Sequence, residues 1–241
     1  DVYKRQVVEL DNSGLSLIEI SHRSPAFIQI MEKATSLALD LLGLEGKGYR
    51  AMFLQGGASQ QFLNVANNFL ETKAGYANTG TLSTKAIKEA KLLGEVVELS
   101  SSKDANFNYI PKEFDIPSNL DYLHITTNNT IFGTQYKALP ETNVPLISDS
   151  SSDIFSRSLD FSKFDLLYAG AQKNMGPAGA TLVVAKEDAL GKVSRQVPSM
   201  LDYKIHADKD SMFNTPPVFA VYTSMLTLQW LKEKGGIAAI E

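Results

Sequence analysis

Short runs of β-branched and aromatic residues alternate along this chain with stretches whose apolar positions recur at helical spacing. That alternation is the mark of βαβ units, in which a largely parallel sheet is covered by the helices that cross it. Strands are expected over 49–54, 95–99, 122–125, 144–147, 166–168 and 180–184. Helices are expected over 24–42, 59–69 and 84–93. The first of these carries Phe27, Ile30, Met31, Ala34, Leu37, Ala38 and Leu41 on one face, and Pro25 suits its first turn. Residues 100–117 are polar enough to be a surface excursion, and 237–241 read as lying inside a continuing amphipathic helix. No repeat or flexible linker divides the pattern, and 44% hydrophobic residues suffice for a sizeable core. The fold expected is one α/β domain with a mostly parallel central sheet flanked by helices.

In such a fold, ligands bind beyond the carboxyl ends of the strands. Two strand ends carry complementary chemistry. The apolar run 164–168 leads into Ala169-Gly170-Ala171-Gln172-Lys173-Asn174-Met175-Gly176, where small residues crowd one amine. The run 144–148 ends at Asp149, followed by Ser150-Ser151-Ser152. A lone lysine past a strand is ordinarily a solvated turn residue. Paired with a strand-end carboxylate, it suits pyridoxal phosphate: the amine forms a Schiff base, and the carboxylate keeps the pyridine nitrogen protonated so that the ring accepts electrons. Gln55-Gly56-Gly57-Ala58-Ser59 opens directly into a helix. Its glycines admit close approach, and the free N–H groups and dipole of the helix start attract an anion. Most Gly-Gly turns are only punctuation, and this one gains weight from the need for a phosphate cradle in the same sheet. His22-Arg23 before the first helix can fork onto an acidic substrate or stand as an exposed helix entry. Thr126-Thr127-Asn128-Asn129-Thr130 follows another strand end, and Asn214-Thr215 precedes the stiff Pro216-Pro217.

Composition removes several classes of function. The formal net charge is −4 without a basic tract, so nucleic acid and anionic membranes are not expected partners. There is no cysteine, and His22, His124 and His206 lack metal-ligand spacing, which points to a metal-free cytoplasmic protein. The opening Asp1-Val2-Tyr3-Lys4-Arg5-Gln6 has no initiator methionine and reads as a translated sequencing adapter. Residues 7–241 are then expected to be an internal piece of a longer enzyme.

Taken together, Glu19-Ile20-Ser21-His22-Arg23, Gly56-Gly57-Ala58-Ser59, Asp149-Ser150-Ser151-Ser152 with Ser156-Arg157, the run Ala169 to Gly179 and Ser211 to Pro217 resemble the phosphoserine aminotransferase family. These are class V aminotransferases with the type I pyridoxal-phosphate fold. The resemblance implies that Lys173 is the Schiff-base lysine and Asp149 the partner of the pyridinium nitrogen. It implies that Ala58, Ser59 and Gln172 hold the cofactor phosphate, that Thr130 lies beside the ring, and that Asn214 and Thr215 reach the phosphate in a partner subunit, making a homodimer with shared sites. His22 and Arg23 would bind the acidic substrates. Leu82 stands where the family stacks a tryptophan on the ring, at a cost on the order of 0.5–1.5 kcal/mol of stacking preference. The family's C-terminal small domain has no counterpart in residues 7–241, which would form the cofactor-binding large domain with an N-terminal segment.

The activity implied is transfer of the amino group of L-glutamate to 3-phosphohydroxypyruvate, giving O-phospho-L-serine and 2-oxoglutarate. This is a step of serine biosynthesis, and in some bacteria of pyridoxal phosphate synthesis. Two alternatives stay open on the residues alone: another class V aminotransferase, and an inactive fragment or paralogue that serves as a dimerising scaffold.

Overall fold

The computed structural model describes residues 8–241, so the adapter reading of residues 1–6 lies outside the described residues. Among the described residues, five helices and nine strands carry the architecture. They are α1 (Pro25–Leu41), β1 (Tyr49–Leu54), α2 (Gly57–Phe69), β2 (Lys73–Asn78), α3 (Thr81–Ala90), β3 (Glu95–Ser101), β4 (Tyr122–Thr126), β5 (Asn128–Asn129), β6 (Thr134–Gln135), β7 (Leu146–Asp149), β8 (Leu166–Gly170), β9 (Thr181–Lys186), α4 (Tyr203–Asp208) and α5 (Val218–Glu233). Seven strands form one sheet in the order β1-β9-β8-β7-β4-β2-β3, while β5 and β6 make a separate hairpin. Within the seven-stranded sheet of the described residues, β9 alone runs antiparallel to the rest, so the carboxyl ends of the other six strands gather along one edge.

Burial explains the sequence pattern. Strands β4, β7 and β8 are buried at every position, as expected for the centre of a parallel sheet covered on both faces. One face packs against α1 and α5 through Phe27, Met31, Val221 and Leu228. The other packs against α2, α3 and α4 through Phe62, Val65, Ile87 and Tyr203. Each fully buried side chain of this size contributes about 1.5–3 kcal/mol relative to exposure. Helix α1 starts where Ser24 Oγ accepts from the Phe27 N–H at 3.4 Å and proline occupies the first turn.

Several boundaries depart from expectation. Strand β7 begins at Leu146, because Pro145 has no N–H to give the ladder and offers its carbonyl to Leu123 N instead. Helix α3 begins at Thr81, where Ser83 Oγ accepts from the Thr79 and Gly80 N–H groups. The continuing helix expected through 237–241 is not formed. Helix α5 ends at Glu233, Gly235 and Gly236 take positive φ, and only a 3₁₀ turn follows over Ile237–Ala239. Among the described residues, no helix is long and apolar enough to cross a membrane.

Candidate active site

Strand register brings the candidate residues to one edge. Asp149 is the last residue of β7, paired with Thr126 of β4 on one side and Tyr168 of β8 on the other. Alternation places these three side chains on the face covered by α2 and α3. Asp149 is 1% exposed. Its Oδ1 accepts from Ser151 N at 3.0 Å and Ser151 Oγ at 2.6 Å. The same Ser151 hydroxyl accepts from Gly170 N at 3.1 Å, which ties the loop after β7 to the end of β8. Asp149 Oδ2 has no hydrogen-bond partner among the described residues. Burial pushes this carboxyl above its ordinary range, against the Ser151 donors and the charge of Lys173, which pull it down. An acceptor so placed calls for a buried donor of positive character.

Lys173 lies in the loop after β8 and is partly buried. Its Nζ donates to Thr130 Oγ1 at 2.8 Å. Thr130 sits at the tip of the β5–β6 hairpin, so that hairpin is what holds the amine. The hairpin is anchored by Asn129, which is buried and donates through Nδ2 to the Thr79 carbonyl. Gly80 makes that approach feasible, since a Cβ there would stand 2.2 Å from Asn129 Nδ2. Beneath the edge, His124 Nε2 meets the Tyr168 hydroxyl at 2.9 Å and stacks on Tyr76 with ring centroids 4.9 Å apart. Burial drives the His124 imidazole down to about 3, so it is neutral at pH 7 and adds no charge to the site.

The phosphate candidates form a second group. Gly56 takes φ 91°, turning β1 into α2 in a conformation that favours glycine, and no side chain caps the helix start. The backbone around Ala58 and Ser59 therefore presents an uncapped helix dipole without an acidic residue in its first turn. The loop bearing Asn214 and Thr215 lies against this turn, with Gln55 Nε2 donating to the Thr215 carbonyl at 2.5 Å. Gly56 and Asn214 share the lining of a cavity of about 300 Å³ with Gln60, Asn64 and His206. A larger cavity of about 630 Å³ lies elsewhere, lined by Tyr109, Phe114 and Tyr136, and neither cavity is lined by Lys173 or Asp149.

The remaining candidates are more scattered. Gln172 is exposed, with its Oε1 folded over Gly170. Leu82 is half-buried in the first turn of α3 and packs on the same core as Ala58 and Tyr168. Arg23 is exposed, and no hydrogen bond or ion pair joins His22 or Arg23 to Lys173 or Asp149 among the described residues. In the sequence, Ser151, Asn129 and Arg157 stand only as members of longer motifs, with no site role of their own. Only the serine run after Asp149 signalled that its carboxylate would be held by hydroxyl donors.

Residues 4–241 match the family described as aminotransferase class-V. The chain is 62% identical over 239 residues to a phosphoserine aminotransferase of Flavobacterium johnsoniae, covering 98% of this chain and 67% of that protein. Among solved structures, one described as radiation damage of the Schiff base in phosphoserine aminotransferase superposes with a TM-score of 0.96 at 45% identity, covering 99% of this chain and 68% of that one. A phosphoserine aminotransferase from Trichomonas vaginalis, described as bound to pyridoxal phosphate, superposes with a TM-score of 0.91 at 32% identity, covering 99% and 68%. The strand-end lysine and aspartate, the uncapped helix start and these likenesses lead to one conclusion: the chain belongs to the aminotransferase class-V family, in its phosphoserine aminotransferase branch.

Proposed function

We propose that this chain is the cofactor-binding part of a pyridoxal-phosphate-dependent phosphoserine aminotransferase. Such an enzyme moves the amino group of L-glutamate to 3-phosphohydroxypyruvate and yields O-phospho-L-serine and 2-oxoglutarate, a step of serine biosynthesis. The observation that carries the reading is the buried Asp149 carboxylate with its unpartnered Oδ2 at the same sheet edge as Lys173. A ring N–H⁺ is the donor that this oxygen lacks, and an uncapped helix start suits the phosphate. Asp149 would hold the ring nitrogen, Lys173 the cofactor's carbonyl carbon, and Ala58, Ser59 and Gln172 the phosphate, with Thr130 and Leu82 against the ring. When bound, pyridoxal phosphate supplies an electron sink for negative charge on the substrate Cα.

The chain's own residues do the rest. Lys173 Nζ takes the proton from the substrate Cα and returns it at the other end of the reacting system, as a general base and then a general acid. Thr130 orients that amine through its hydroxyl. Two Ser151 donors favour the charged form of Asp149 against the cost of burial, and a ring N–H⁺ would add to them. Arg23 and His22 bind the acidic groups of the substrates, and both half-reactions use one site, so ping-pong kinetics are expected.

The same proposal includes a cytoplasmic location, residues 7–241 as the large domain, and a homodimer in which Asn214 and Thr215 serve the partner's phosphate. Mixing a Lys173→Ala chain with a chain blocked at Thr215 tests the sharing: hybrids regain one working site, and persistent inactivity of proven hybrids defeats it. The reaction is tested by loading the protein that carries this chain with pyridoxal phosphate and following 2-oxoglutarate release from both substrates. Release over many turnovers that depends on 3-phosphohydroxypyruvate and collapses in Asp149→Asn supports the assignment. A cofactor-loaded protein that releases none refutes it.

A further inference from the structure

Beyond Asp149 the chain makes a short irregular loop that contains a buried ion pair. The side chain of Asp153 is 3% exposed and that of Arg157 is 12% exposed. Arg157 Nε and Nη2 donate to Asp153 Oδ2 at 3.0 and 2.8 Å, and its Nη1 donates to the Tyr136 carbonyl at 2.7 Å. One planar guanidinium thus grips a carboxylate and a backbone carbonyl together, which a lysine cannot do. Tyr136 follows β6 and returns its N–H to the Thr127 carbonyl at 2.9 Å, so the grip reaches the base of the hairpin that carries Thr130.

Each oxygen of Asp153 serves a different loop. Its Oδ1 accepts from Thr127 Oγ1 at 2.6 Å, and Thr127 N donates to the Asp149 carbonyl at 3.0 Å. Next to Asp153, the Ile154 carbonyl accepts from Asn174 Nδ2 at 2.8 Å, and Asn174 adjoins Lys173. The loops after β4, β7 and β8 therefore meet around this pair. Phe155, in the same loop, is buried at φ 61°, a conformation that a bulky residue keeps only where its surroundings over-determine it.

We propose that the Arg157–Asp153 pair is a positioning device for the active site, locking Asp149, Thr130 and Lys173 into one register. The proposal rests on the reading of Asp149 and Lys173 as the cofactor-holding pair. Arg157 touches neither substrate nor cofactor in this account and acts through the loops that it joins. It also has an electrostatic duty, because the Asp153 charge is one of the influences that push the Asp149 carboxyl upward. With Arg157 in place that charge is matched, and without it a bare buried carboxylate faces the site.

The test uses the protein loaded with pyridoxal phosphate and reads three quantities: the cofactor Kd, the pH midpoint of the cofactor's absorbance change, and kcat against KM. The charged and titratable groups around Asp149 are Lys173 and Asp153, with Tyr168 and His124 on the same sheet face. Only the Arg157–Asp153 pair is altered. Arg157→Met should weaken cofactor binding about tenfold and raise the absorbance midpoint by about half a pH unit or more, since an unmatched negative charge stabilises nearby protonated groups. Arg157→Lys should bring the midpoint back but leave kcat low, because it restores the charge without the fork. Arg157→Met combined with Asp153→Asn should also restore the midpoint. If Arg157→Met loses thermal stability while Kd and midpoint stay at wild-type values, the pair is merely structural and the proposal falls. Should that variant not fold, Arg157→Lys decides, and an unchanged kcat overturns the proposal. A wild-type protein that binds no pyridoxal phosphate refutes the cofactor reading instead, and the positioning role with it.

Discussion

Gly80→Ala tests whether the hairpin anchor sets the geometry of the amine. In the structure, a Cβ at residue 80 would stand 2.2 Å from Asn129 Nδ2 and 2.8 Å from its Cγ. Non-bonded heavy atoms prefer about 3.5–4 Å, so Asn129 must retreat by about 1 Å. Asn129 is 2% exposed and has no room to do this without breaking its hydrogen bond to the Thr79 carbonyl. Overpacking of this kind costs about 1–3 kcal/mol. Leaving a buried carbonyl without its donor costs a further ~1–3 kcal/mol, so a loss of roughly 2–6 kcal/mol is expected. The damage should also reach the site. Thr130 follows Asn129 directly and holds Lys173 Nζ at 2.8 Å, and a misplacement of ~1 Å at a positioning group costs ~10²-fold in rate. Urea unfolding of Gly80→Ala, of Asn129→Ala and of the double variant measures the first effect. The double variant should be less destabilised than the sum of the singles, because removing the amide removes the clash. A Gly80→Ala variant within ~0.5 kcal/mol of wild type, or strict additivity in the double, refutes the reasoning.

Two further outcomes follow from Asp149 and its donors. Burial raises the folded-state pKa of Asp149, so its contribution to the stability of the cofactor-free protein is full at low pH and is lost as pH rises through the raised value. Asp149→Asn therefore gains on wild type as pH rises above the ordinary carboxylate range in cofactor-free urea unfolding, although it loses cofactor affinity; a wild-type advantage that grows with pH contradicts this. Ser151→Ala removes a 2.6 Å donor to that carboxylate and the acceptor of Gly170 N, and should cost about 1.5–3 kcal/mol at neutral pH together with weaker cofactor binding. An unchanged unfolding midpoint and Kd would count against the carboxylate's dependence on Ser151.

Much of this site could be read from the chain because strand ends in a parallel sheet are marked locally. Asp149 and Lys173 each follow an apolar run buried on both faces, and those runs became β7 and β8. Strand β2 escaped notice because Lys73-Ala74-Gly75-Tyr76-Ala77-Asn78 has little β propensity. Its small residues are demanded by packing, since a Cβ on Gly75 would meet Leu99 and Leu120 at 2.7 and 2.8 Å. Helix α5 is apolar around much of its circumference, with Val221, Met225 and Leu228 buried, so it lacks the one-sided stripe that announces a surface helix. What the sequence could not disclose is the set of links between loops. Arg157 to Tyr136, Asn129 to Thr79 and Gln55 to Thr215 join residues far apart in the chain, and no local spacing encodes them.

The central claim is that one lysine at the β8 edge holds the cofactor opposite Asp149. Borohydride reduction of the protein loaded with pyridoxal phosphate leaves a stable pyridoxyl mark on whichever lysine holds it, and peptide mapping locates the mark. The account predicts a mark on Lys173, abolished in Lys173→Ala. A mark on Lys163, Lys186 or Lys192 instead, or one that survives Lys173→Ala at full yield, contradicts it.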